Sequence, residues 1–274
     1  MARFTKKRMT SRTRRKSSLF MRLLPVIIVI SILWSFWTDS DKENNSEPPM
    51  VAYGEQPSRN DWPPVSSSSN SFTAARDLLK ANYYVILDGS GSMDESECSS
   101  GRNKMADAID ALSTFVDSVP QDANIGVSVF HNNKIIEMIP LQREGRIDTA
   151  KLSQIVPGGA TPLRSAIESA YAKMAVQGGR QLGYGEYHLV VITDGLATEG
   201  EDPTAAVRRM LSESPVNLYT IGFCIGSDHS LNQPGFSTYR AADNLDALKQ
   251  GLSEVLAEAP SFTLDSFQEP VTKP

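Results

Sequence analysis

The chain has 274 residues, room for one or two domains, and a formal net charge of −5. That charge is unevenly spread: residues 1–37 carry nine Lys or Arg and no acid, leaving 18 basic against 32 acidic residues, a net of −14, for the remainder. An acidic body of this kind argues against nucleic acid as a partner.

From the N-terminus, Leu23 to Trp37 is an apolar run broken only by Pro25, Ser31 and Ser35. Counted from Leu19 it has 19 residues, which at about 1.5 Å per residue is ~28 Å, the depth of a bilayer core. Basic residues precede it, and Trp34, Phe36 and Trp37 suit the far interface. A cleaved export signal is the competing reading, but bulky aromatics stand where a small-x-small cleavage site belongs, so a retained anchor is expected. The chain then divides into a basic cytoplasmic segment 1–18, a transmembrane anchor 19–37, a flexible linker 38–78, a folded domain 79–259 and an irregular tail 260–274. Membrane attachment by this helix places the domain outside, in the periplasm of a bacterium. The linker is rich in Ser, Asn, Pro and acids, and its aromatics Tyr53 and Trp62 read as unattached.

Ala74 to Lys80 reads as a short helical lead-in. Tyr83–Leu87 is a buried strand, and Lys104 to Val119 an amphipathic helix with Met105, Ile109, Leu112, Phe115 and Val116 on one face. Asn124 to Phe130 alternates as a strand, His131-Asn132-Asn133 is turn chemistry, and Lys134 to Ile139 pairs back. A short helix over 148–155, a helix from Pro162 to about Met174, a strand Tyr187–Thr193, a helix Pro203–Leu211, a strand Val216–Phe223, a short strand 239–241 and a helix Leu245–Leu256 complete the series. This alternation predicts an α/β fold. It has a doubly wound, mostly parallel central sheet with one antiparallel edge strand and helices on both faces.

Three loops at the carboxyl ends of strands carry the chemistry. After the first strand comes Asp88-Gly89-Ser90-Gly91-Ser92, whose oxygen-bearing side chains at alternate positions can converge. Glycines between them permit a tight turn. Gly158-Gly159-Ala160-Thr161-Pro162 and Ile192-Thr193-Asp194-Gly195 lie downstream. Carboxylate and hydroxyl oxygens are hard ligands that suit Mg²⁺.

Asp88, Ser90, Ser92, Thr161 and Asp194 together resemble the metal-ion-dependent adhesion site of von Willebrand factor A-type domains, and the resemblance spans roughly residues 82–259. It implies one Mg²⁺, or Mn²⁺ in its place, and a partner protein whose carboxylate completes the coordination through the metal face. The function implied is that of a membrane-anchored, metal-dependent binding module for adhesion or envelope assembly. The alternatives are a metal-dependent hydrolase of unrecognised type and an adaptor subunit of an ATPase-linked complex. An enzyme is not expected: Ser90 occupies the position of a second aspartate in Asp-x-Asp phosphatases, no phosphate-binding GxxxxGK[ST] loop is present, and the three histidines do not pair in metal or triad spacing. Cys98 and Cys224 are the only cysteines, both at the carboxyl end of the sheet; a disulfide between them and two unpaired thiols are both open. The acids Glu199, Glu201 and Asp202 read as a solvated rim.

Overall fold

The computed structural model describes residues 62–64, 73–142 and 148–258. Its strands are β1 (Ala81–Asp88), β2 (Asn124–His131), β3 (Lys134–Gln142), β4 (Glu186–Thr193), β5 (Val216–Phe223) and β6 (Thr238–Ala242). The helices are α1 (Lys104–Ser118), α2 (Leu163–Arg180), α3 (Thr204–Glu213) and α4 (Leu245–Glu258), with short 3₁₀ turns at Gly91–Asp94 and Thr149–Gln154.

The strands form one sheet in the order β3-β2-β1-β4-β5-β6. Every pairing is parallel except β2–β3, so β3 is the antiparallel edge. Chain order runs outward from β1 in both directions, and the crevice between the carboxyl ends of β1 and β4 is the topological switch point where such sheets bind ligands. Alternation on β1 divides the core. Tyr83, Val85 and Leu87 pack with Met105, Leu112 and Phe115 of α1 and Leu248 and Leu252 of α4. Tyr84 and Ile86 pack with Leu163, Ile167 and Met174 of α2 and Val207 and Met210 of α3. Both faces of the central strands are therefore covered, which is why they read as continuous apolar runs.

Three expectations change. Residues 74–80 form bends rather than a helix; this stretch is held from outside, with Ala75 N donating to Arg180 O and Gln181 Nε2 to the carbonyls of Leu78 and Lys80. Trp62 is docked, its ring 5.8 Å from that of Tyr171 and 5.3 Å from that of Tyr187. The anchor expected at 19–37 lies outside the described residues, and among the described residues no helix is long and apolar enough to cross a membrane. The membrane topology and the external location built on that anchor are accordingly withdrawn.

Candidate functional site

β1 ends on Asp88, fully buried, and β4 ends on Thr193, each one residue beyond the paired Leu87 and Ile192. The chain turns sharply after Asp88. Gly89 N donates to Phe130 O and Gly89 O accepts from Gly158 N; a Cβ at Gly89 would stand 2.9 Å from Phe130 O, so the close approach requires glycine. The turn brings Ser90 N to 2.7 Å from Asp88 Oδ1. Thr193 Oγ1 donates to the other carboxylate oxygen at 2.6 Å.

From Asp88 the polar chain crosses to β4. Ser92 Oγ donates to Asp194 Oδ1 at 2.8 Å, which leaves Ser90 Oγ, 3.1 Å from Ser92 Oγ, to donate to Ser92. Thr161 arrives from the third loop, beside Gly195: a methyl on Gly195 would meet Thr161 Oγ1 at 3.6 Å and Ser92 Oγ at 3.7 Å. The five residues singled out in the sequence thus come together at the switch point.

The loop that carries Thr161 is held by the β2–β3 hairpin. Asn132 and Asn133 both have positive φ, as a two-residue hairpin turn of this kind requires. Asn132 N donates to Gly158 O, and Asn133 Oδ1 accepts from Ala160 N at 3.0 Å. On its other side Thr161 is tied to Thr198, which accepts from Thr161 N through Oγ1 and donates its own N–H to Thr161 O. Glu201 proves structural rather than a rim acid. Its carboxylate accepts from Ser165 N and Oγ and caps the start of α2, where Pro162 has no side chain to do so. Partial burial would raise its pKa, but Ser165 and Arg164 outweigh that and lower it.

Two site residues were not legible as such in the sequence. Lys104, the first residue of α1, is buried with its ammonium 3.0 Å from Asp194 Oδ2 and 2.9 Å from Glu95 Oε2. Burial alone would lower its pKa; the bonds to Glu95 and Asp194 prevail and raise it, so it stays charged. A lysine at a helix N-terminus opposes the helix dipole, and that misplacement is its one signal in the sequence. His229 is the second. Its Nδ1 accepts from Leu231 N, so Nε2 carries the proton and donates to Gly195 O at 3.0 Å, clamping the loop after β4. Burial keeps this imidazole neutral by lowering its pKa.

Cys98 and Cys224 are joined by a disulfide, with Cα atoms 5.9 Å apart, linking the loop after β1 to the end of β5 beside the site. Among the described residues, Asp107 fixes the intervening loop by accepting from Ser100 N, Ser100 Oγ and Arg102.

Fold and site define the class: a doubly wound α/β module presenting a polar loop face at its switch point. The chain belongs to the von Willebrand factor type A domain family, whose pattern it matches over residues 82–269. A von Willebrand factor type A structure from Catenulispora acidiphila has a TM-score of 0.52 at 18% identity, covering 65% of this chain and 42% of that one. Proximal thread matrix protein 1 of the mussel byssus, solved with zinc in its adhesion-site motif, has a TM-score of 0.51 at 18% identity, covering 68% and 48%. An aerotolerance-related membrane protein from Bacteroides fragilis is 21% identical over 64% of this chain and 98% of its own, at a TM-score of 0.49. No curated protein matches the chain.

The metal expectation is overturned. Among the described residues there is no group of three or more His, Cys, Asp or Glu side chains able to hold an ion. The site has two carboxylates, and all four of their oxygens already accept from the protein: Ser90 N and Thr193 on Asp88, Ser92 and Lys104 on Asp194. An ammonium in contact with one of two acids disfavours a dication beside it. The donor set does not fit Mg²⁺ or Mn²⁺, so the cofactor and the metal-bridged partner are both withdrawn.

Proposed function

We propose that the domain is a protein-binding module whose contact surface is the loop face around Asp88, Ser90, Ser92, Thr161 and Asp194, acting by direct contact. One observation supports this reading above the others: a hydrogen-bonded network rooted in the buried carboxylates of Asp88 and Asp194 ties the loops after β1 and β4 together beneath an exposed rim. The rigid part is the Asp88–Ser90–Ser92–Asp194 chain. The rim carries Leu196, 62% exposed immediately beside it, and the exposed acids Asp94, Glu95, Glu97, Glu199 and Asp202. An apolar anchor ringed by charge on a preorganised base is the arrangement of an interface hot spot. The acids suit a partner with a basic surface, which they would steer and orient.

The test is capture by chemical cross-linking, comparing wild type with Leu196→Asp and with Leu182→Asp. Leu182 is a similarly exposed leucine, just after α2 at the opposite end of the sheet. The partner should be lost in Leu196→Asp, kept in Leu182→Asp, indifferent to EDTA and weakened by salt. A partner kept by Leu196→Asp and lost by Leu182→Asp would move the interface to the other end.

A further inference from the structure

Lys104 is 4% exposed, a depth at which an ammonium requires a charged partner. It contacts two acids, but they are not equivalent. The Glu95 side chain is 61% exposed and well solvated, whereas that of Asp194 is 0% exposed. Asp194 is therefore the buried charge that Lys104 answers. Helix α1 does not call for a lysine here: Asn103 already caps it by accepting from Ala106 N, and the dipole at this end disfavours a cation. The residue is placed for the carboxylate, not for the helix.

We propose that Lys104 is the resident cation of the loop face, supplying from within the chain the positive charge that its buried carboxylate requires. Its ammonium neutralises Asp194 and ties α1 to the end of β4. The neutralised Asp194 accepts from Ser92, and Ser92 in turn orders Ser90. The face is organised by a covalently attached charge, so its geometry is independent of divalent ions. This inference stands whether or not the face binds a protein.

Thermal unfolding of the full chain tests it, in millimolar Mg²⁺ and in EDTA, for wild type, Lys104→Met and the double variant Lys104→Met/Asp194→Asn. Wild type should melt at the same temperature in both conditions, within about 1 °C. Lys104→Met strands a buried carboxylate and should melt lower in EDTA by about 5 °C or more. Mg²⁺ should then recover part of that loss, because the site has become short of positive charge. The double variant removes both charges; it should regain stability and ignore Mg²⁺. If Lys104→Met does not fold, the double variant must, and a double variant that is equally unfolded overturns the proposal. So does a wild type stabilised by Mg²⁺ and returned by EDTA, or a Lys104→Met protein that melts like wild type in both conditions.

Discussion

Thr193 and Asp88 end neighbouring central strands, and the threonine hydroxyl donates to the carboxylate at 2.6 Å. The bond joins the two halves of the sheet at the point where the chain order reverses, and it carries a cost. Among the described residues Asp88 has hydrogen bonds but no cation, while Asp194, one residue beyond Thr193, has Lys104. The site thus buries two acids against one base, and the imbalance falls on Asp88.

The pH dependence of stability should report that imbalance. Burial raises the Asp88 carboxyl from 3.8 to about 6, partly offset by the bonds from Ser90 and Thr193. A carboxyl raised on folding contributes stability that is fully present below the unfolded value and lost as pH climbs through the folded one. In Asp88→Asn the amide oxygen keeps the bond from Ser90 N, and its NH₂ can donate to Thr193, whose proton can turn to Gly195 O 3.2 Å away. The variant should match wild type near pH 4 and be the more stable by roughly 2–3 kcal/mol above pH 6. Urea denaturation across that range measures it; a difference independent of pH would refute the assignment.

The disulfide should matter more than its size suggests. It spans 126 residues of sequence, and closing so long a loop constrains the unfolded chain by about 3–5 kcal/mol. Cys98→Ser/Cys224→Ser should lose stability on that scale while keeping the β-sheet spectrum. Labelling the unfolded, unreduced protein should find no thiol; recovery of two would show that the pair does not form.

How much of this was legible depends on sequence distance. The order of strands and helices followed from apolar periodicity, because each element buries its own face. Asp88, Ser90, Ser92, Thr161 and Asp194 were also visible, since loops after buried strands with Gly and hydroxyl residues leave a local pattern. What neutralises or fixes them was not. Lys104 meets Asp194 from 90 residues away, Glu201 reaches back 36 to cap α2, and His229 clamps a loop 34 residues earlier. These contacts depend on which ends of the sheet coincide, and no local pattern records that. The metal expectation failed for the same reason: ligand types were read, but the cation already among them was not.

Gly159 offers a measure of how firmly the hairpin holds the Thr161 loop. Its φ is +84°, and a Cβ there would lie 2.8 Å from Asn133 N and 2.9 Å from Asn132 Cα. Gly200 has a similar φ of +80° but nothing within 4 Å. Gly200→Ala should therefore cost only the left-handed penalty, about 1 kcal/mol. Gly159→Ala should cost about 2–4 kcal/mol, because the hairpin tip must also move. Equal losses in chemical denaturation would mean that the tip does not clamp this loop.

At the opposite end of the sheet, a single glycine should decide whether the segment before the domain is bound to it. Trp62 stacks on Tyr171 of α2 and meets Tyr187 of β4 edge-on, an aromatic cluster that adds to the area it buries. The slot exists because Gly178 lacks a side chain: a Cβ there would stand 2.8 Å from Trp62 Cζ2, in the middle of the indole. In a helix interior, Gly→Ala ordinarily gains up to about 1 kcal/mol. Gly178→Ala should instead be neutral or destabilising, since the gain in α2 is offset by expulsion of the ring. The chain has three tryptophans, so Trp62 is isolated by Trp34→Phe and Trp37→Phe. In that background its emission should be blue-shifted and shielded from iodide, and Gly178→Ala should shift it to the red and expose it to quenching. Gly178→Ser should do the same, and Trp62→Ala should restore the stabilising effect of alanine at 178. An emission spectrum unchanged by Gly178→Ala would show that Trp62 does not occupy the slot.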